Sequence, residues 1–142
     1  MKTNANFFKV IAIGAIITAA FAACGGGKIT SIDGLLAFFK KSGIAVSNKE
    51  TLMYQFVQGA KDGCRVELNG ESVEIYKFDV TVEEGKTILA NAEKDGTFLI
   101  GSSKMSCLVK GPFIISTSSL FGGLPQDAKE KISGVLQKAE VE

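Results

Sequence analysis

The dipeptide Asn69-Gly70 constrains this chain more than any other two residues. Upstream of it, Cys64, Val66 and Leu68 alternate with Arg65, Glu67 and Asn69, the period-two pattern of a strand with one buried face. Asn-Gly is the pair that best accepts the two positive φ angles of a type I′ turn, so the chain doubles back at once. The returning strand runs from Ser72 to Asp79, with Val73 and Ile75 on one side and Tyr76 and Phe78 on the other. That change of parity means a bulge or a strand packed on both sides. A hairpin is the fixed point, and the other segments must be arranged around it.

Helical signals flank the hairpin. Thr30-Ser31-Ile32-Asp33 matches a capping box; Ile32, Leu35, Leu36 and Phe39 follow at helical spacing, and Gly43 supplies a stop. For Thr51 to Val57 a short helix behind a Ser47-to-Glu50 cap and an extended segment are both open, and the helix is expected. Thr81 to Glu84 caps a further helix, with Val82, Leu89 and Ala92 inward and Gly96 at its end. After an apolar run at Phe98 to Ile100, Met105, Cys107 and Val109 alternate with Ser106, Leu108 and Lys110, and Lys110-Gly111 turns into a strand from Pro112 to Thr117. Gly122-Gly123 and Pro125 open the last helix, whose apolar stripe is Ala128, Ile132, Val135, Leu136 and Ala139. The sum is helix, hairpin, helix, hairpin, helix. This predicts an α+β domain over residues 30–142: a four-stranded antiparallel sheet of two hairpins with helices packed on one face.

The amino terminus has a different character. Lys2 and Lys9 precede an apolar run from Val10 to Ala23, whose fourteen residues fall short of the roughly 20 that span a bilayer. A basic front, a short apolar stretch and small residues at its end read as an export signal. The end, Phe21-Ala22-Ala23-Cys24, resembles the lipobox of bacterial lipoproteins, with Phe21 standing where Leu is commoner. The resemblance implies that residues 1–23 are a signal peptide and that Cys24 is the lipidation site. The chain would be cut before Cys24, its sulfur carrying a diacylglyceryl group, and held to a membrane of the cell envelope by acyl chains such as palmitate. That membrane would be the outer one if the host has two. Residues 24–29 then form a Gly-rich tether, and at roughly 5–6 Å times the square root of residue number the domain stays within about 15 Å of the lipid.

A second resemblance lies in the domain. Gly59-Ala60-Lys61-Asp62-Gly63, then Val66-Glu67-Leu68-Asn69-Gly70, then Val73-Glu74-Ile75-Tyr76-Lys77-Phe78-Asp79 are similar in order and kind to segments of a group of small bacterial lipoproteins of unknown function. In that group a turn, a hairpin and a strand of these types precede a helix, a hairpin like Cys107 to Gly111 and a closing helix. The resemblance implies the same architecture and brings no catalytic or binding residue with it.

Composition limits the chemistry. The chain has no His, which removes the usual general base, metal ligand and pH switch, and its net charge of +1 leaves no nucleic-acid footprint. Beyond Cys24 two cysteines remain, Cys64 and Cys107. A disulfide between them would close a loop of about 43 residues, worth roughly 4 kcal/mol in the chain-entropy model; two separate buried thiols are equally open. Two cysteines without His make a poor metal site, and no cofactor is expected.

Asp62, Glu67, Glu74, Asp79, Glu83 and Glu84 are the carboxylates an acid–base pair would draw on, but strand parity and helix first-turn positions give them structural roles. The Ser116-Thr117-Ser118-Ser119 run has no neighbouring base and reads as a loop. Leu120 and Phe121, bulky residues beside flexible glycines, are the candidate partner-binding residues. The open face of the sheet, with Arg65, Glu67 and Glu74, is a second docking surface. The expected function is a non-enzymatic, membrane-anchored module that binds an envelope protein or peptide. The alternatives are a small envelope hydrolase using carboxylates and a purely structural envelope protein.

Overall fold

In the computed structural model, residues 27–119 and 122–142 are described. The proposed signal peptide, Cys24, Leu120 and Phe121 lie outside the described residues. Helix α1 (Ile32–Lys41) leads through strand β1 (Val46–Thr51) and a 3-10 turn (Tyr54–Phe56) to β2 (Ala60–Leu68) and β3 (Glu71–Phe78). Helix α2 (Glu83–Asp95), β4 (Thr97–Ile100), β5 (Ser103–Lys110) and β6 (Phe113–Ser116) follow. Two short strands, β7 (Ser118–Ser119) and β8 (Gly122–Gly123), pair with each other before α3 (Gln126–Leu136).

The fold is α+β: six strands form one antiparallel sheet in the order β1-β2-β3-β6-β5-β4. Its centre is the pair of hairpins expected from the sequence, joined through β3 and β6. Asn69 and Gly70 take φ of 53° and 83°, the positive pair the turn requires. The sheet is wider than the four strands expected, because β1 and β4 extend it at both edges. Strand β1 takes up Thr51 and the Ser47-to-Glu50 segment expected as a cap, and of the helix expected over Thr51 to Val57 only the 3-10 turn Tyr54–Phe56 forms. The β1 backbone pairs with β2, and the Asn69 side chain accepts from the Ala45 amide at 2.8 Å, so tertiary pairing outweighs local cap signals. The residues Ala60 to Gly63, expected as a turn, belong to β2 and carry its irregular register between Ala60 and Asp62.

Strand parity sorts the core into two layers. On the first face, Val66, Leu68, Val73, Ile75, Phe113 and Ile115 pack under α1, through Leu35 and Phe39, and α3, through Ile132 and Leu136. On the second face, Tyr76, Phe78, Met105 and Ile114 pack under Leu89 and Ala92 of α2. Helices therefore cover both faces, not one. The parity change at Ile75-Tyr76 is that of a strand buried on both sides; no bulge is needed there.

The same sorting settles the cysteines. Cys64 belongs to the first layer and Cys107 to the second, so the sheet itself separates them, and both are free buried thiols. The disulfide is not formed. Burial pushes each thiol up to about 11, which leaves them poor nucleophiles at neutral pH.

Helix ends follow the sequence with small displacements. Ser31, not Thr30, caps α1, its hydroxyl accepting from the Gly34 amide at 3.0 Å. Gly96 ends α2 at φ 67°, and Val82, expected inward, is exposed at its start. Ahead of α2, Asp79 accepts from the Thr81 amide and hydroxyl and faces Lys61 at 2.6 Å. The Lys61 ammonium, then the two Thr81 donors, hold the Asp79 carboxyl well below the usual carboxylate range. Ile29, expected in the tether, is part of the fold: its amide donates to the Glu140 carbonyl at 2.8 Å, it bridges to Val141, and its side chain packs on the first layer. Among the described residues no helix is long and apolar enough to cross a membrane.

Candidate functional site

The second face changes character along its strands. On β3 the residues that point to this face run Phe78, Tyr76, Glu74, Ser72, and on β5 they run Val109, Cys107, Met105, Ser103. Toward α2 the side chains are bulky and apolar; toward the other end they shrink and become polar. Helix α2 fills the first half. Over the second half the cover is the segment between β1 and β2, which includes the 3-10 turn.

The result is a cleft of about 810 Å3, within the range that holds a small ligand or a few side chains. Arg65, Glu74 and Tyr76 form part of its floor, Leu52, Met53 and Phe56 one side, Ile100, Ser103 and Met105 the other. The 3-10 turn reaches across to the β4–β5 turn, where the Phe56 carbonyl accepts from the Gly101 amide at 3.4 Å. Met53 and Phe56 themselves are 73% and 68% exposed, the two most exposed large apolar residues described. Isolated exposed apolar residues are ordinary, but these two sit together at the mouth of a concave surface.

The floor is held rigidly. Glu74 Oε1 accepts from Arg65 Nη2 at 2.9 Å, and Glu74 Oε2 accepts from the Tyr76 hydroxyl at 2.7 Å. Burial first, and then the bond to Glu74, push the Tyr76 hydroxyl up, so it remains a donor throughout the physiological range. The Tyr76 ring stacks obliquely on Phe98, with centroids 5.7 Å apart. Gly63 lies opposite Tyr76, and a Cβ there would come within 3.0 Å of the Tyr54 Cβ and 3.1 Å of the Tyr76 ring. A residue without a side chain is what lets both tyrosines meet the strand.

The carboxylates considered from the sequence are distributed among separate structural roles. Glu67 accepts from Ser47 and Asn48, Glu74 from Arg65 and Tyr76, Asp62 from the Gly63 amide, and Glu84 from Gln58 at 2.5 Å, while Glu83 stands 3.8 Å from Lys86. Of the open-face trio, Arg65 and Glu74 line the cleft and Glu67 lies on the same face beside it. Met53 and Phe56 were missed because nothing local in Thr51 to Val57 shows that the segment crosses the sheet to meet Gly101. Among the described residues, no cluster of His, Cys, Asp and Glu is arranged to hold a metal ion.

By fold and site the chain is a six-stranded α+β domain with a half-covered sheet face. Compared with protein-family models, curated proteins and solved structures, it matches none of them.

Proposed function

We propose that this chain is a lipid-anchored, non-enzymatic binding module of the bacterial cell envelope, and that the cleft takes the apolar part of a protein or peptide partner. The observation that carries the reading is the placement of exposed Met53 and Phe56 at the mouth of a preformed cleft. An unbranched thioether and an aromatic ring are adaptable, high-area contacts of the kind that dominate binding surfaces. The carboxylate-enzyme alternative has no comparable support, since each candidate acid is engaged with its own structural partners.

Anchoring rests on the lipobox resemblance at Cys24, and the fold is compatible with it. Lys77 Nζ donates to the Thr30 carbonyl, so the leash would leave the domain at the Lys77 end of β3. The cleft extends toward Ser72 at the other end, about 17 Å away at 3.3–3.4 Å per residue. The cleft floor begins at Tyr76, beside that exit, so a tethered domain would hold its polar Ser72 end farther from the lipid than its Tyr76 end.

The test is a double exchange, Met53→Ser with Phe56→Ser. Both side chains are mostly solvated, so the melting temperature is expected to stay within a few degrees of the parent. Co-purification of the partner from membranes of the native host is expected to fall by roughly tenfold or more, as for loss of a hot-spot pair. Undiminished co-purification by a normally folded variant would overturn the reading. Mass spectrometry of the native protein tests the anchor separately: an intact leader or an unmodified Cys24 would remove it.

A further inference from the structure

The polar half of the second face is unevenly charged. Four ionised side chains point there: Glu50 on β1, Arg65 and Glu67 on β2, and Glu74 on β3, with Glu50 paired in register to Arg65 and Arg65 to Glu74. Three are carboxylates and one is the guanidinium of the chain's single Arg. That guanidinium is already held by Glu74 at 2.9 Å. Glu50 approaches it only to 3.9 Å, and its side chain is 68% exposed at the cleft wall. Glu67 is satisfied by neutral donors, Ser47 Oγ at 3.1 Å and Asn48 Nδ2 at 2.8 Å, which leave its charge uncompensated. The cleft thus joins an apolar mouth to a polar end with a surplus of negative charge.

Its shape favours a chain over a compact molecule. Along β3 the floor extends from Ser72 to Tyr76, about 13 Å at strand spacing. The hydroxyls of Ser72 on β3 and Ser103 on β5, both on the cleft face, are donors and acceptors for a peptide backbone.

Building on the binding reading above, we infer that the cleft selects an extended peptide segment in which a Lys or Arg lies next to bulky apolar residues. The apolar side chains pack against Met53, Phe56 and Met105, and the cation lies against Glu50, the residue that sets charge preference. The contact is a partly solvated ion pair, so it discriminates between sequences more than it adds affinity.

The experiment uses the full chain purified in detergent and three fluorescein-labelled hexapeptides. Each peptide carries the same two bulky apolar residues, with two Lys, two Gln or two Glu beside them; binding is read by fluorescence polarisation at low and high salt. The Lys peptide is expected to bind about fivefold tighter than the Gln peptide, with the Glu peptide weakest and the differences narrowing at high salt. In E50K the order of the Lys and Glu peptides is expected to reverse while the Gln peptide is unchanged. Equal binding of all three peptides by the parent would overturn the charge preference and leave the apolar cleft reading standing. Retention of the Lys preference by a folded E50K variant would overturn the role of Glu50. Failure of all three to bind would remove peptide recognition by this cleft, and this inference with it.

Discussion

Gly85→Ala is expected to destabilise the domain by about 3 kcal/mol, against the usual sign for a glycine inside a helix. In an exposed helix interior, Ala is favoured over Gly by roughly 1 kcal/mol. Gly85, however, is buried in the first turn of α2, where the helix rests directly on the chain leaving β3. A Cβ built at this position would lie 2.1 Å from the Asp79 carbonyl oxygen and 2.9 Å from its carbon. Those are backbone atoms, and Asp79 is itself held by Thr81 and Lys61, so no side-chain rotation relieves the overlap. Either α2 lifts from the second face or the Asp79 turn is broken, and both exceed the propensity gain. The matched control is Gly134→Ala in α3, where an added Cβ meets nothing within 4 Å. That change is expected to stabilise by up to about 1 kcal/mol. Urea denaturation of the two variants checks the pair: equal shifts of the same sign would contradict the close approach of α2 to Asp79.

Phe39→Ala carries the second large effect. Phe39 is fully buried, lies in α1, and packs in the first layer with residues of β2, β3, β6 and α3. Truncation of a buried Phe costs about 3–5 kcal/mol, through lost transfer energy and the cavity left behind. Set against a typical total of about 5–15 kcal/mol, this removes a large share of the domain's stability. A fall in melting temperature of roughly 12–25 °C is expected by calorimetry. The aromatic pair Tyr76–Phe98 lies on the other face, so below the transition the near-ultraviolet signal of the two tyrosines is expected to persist. A shift of only a few degrees would mean that α1 is a loosely held cover and that the first layer is not the main core.

These expectations depend on details the sequence discloses unevenly. The central hairpins were legible because Asn69-Gly70 and Lys110-Gly111 are local turn signals flanked by alternation, and no distant contact is needed to interpret them. The edge strands were not. Val46 to Thr51 reads VSNKET, with only Val46 partly buried, so it has no apolar period to detect. It becomes a strand because β2 offers a backbone to pair with and Glu67 binds Ser47 and Asn48. Strand β4 has four residues, too few for a period to be distinguished from an apolar run.

The distribution of helices over two faces was present in the parity of Ile75 and Tyr76 but could be assigned only once both faces were seen to be covered. Cys64 and Cys107 fell to opposite layers for the same reason. The polar floor of the cleft was legible as Arg65 and Glu74, with Glu67 beside them, on an open face. Its apolar mouth was not, since Met53 and Phe56 gain their meaning from a turn that crosses the sheet to meet Gly101.

The most direct measurement places a photoreactive amino acid at position 56 in the native host and, in a second strain, at Lys40 on the outer surface of α1. If the cleft receives a partner, irradiation yields a crosslinked species of one discrete mass from position 56 and none from position 40. Identical products from both positions, or no product from position 56 in a normally folded and exported protein, would contradict the account.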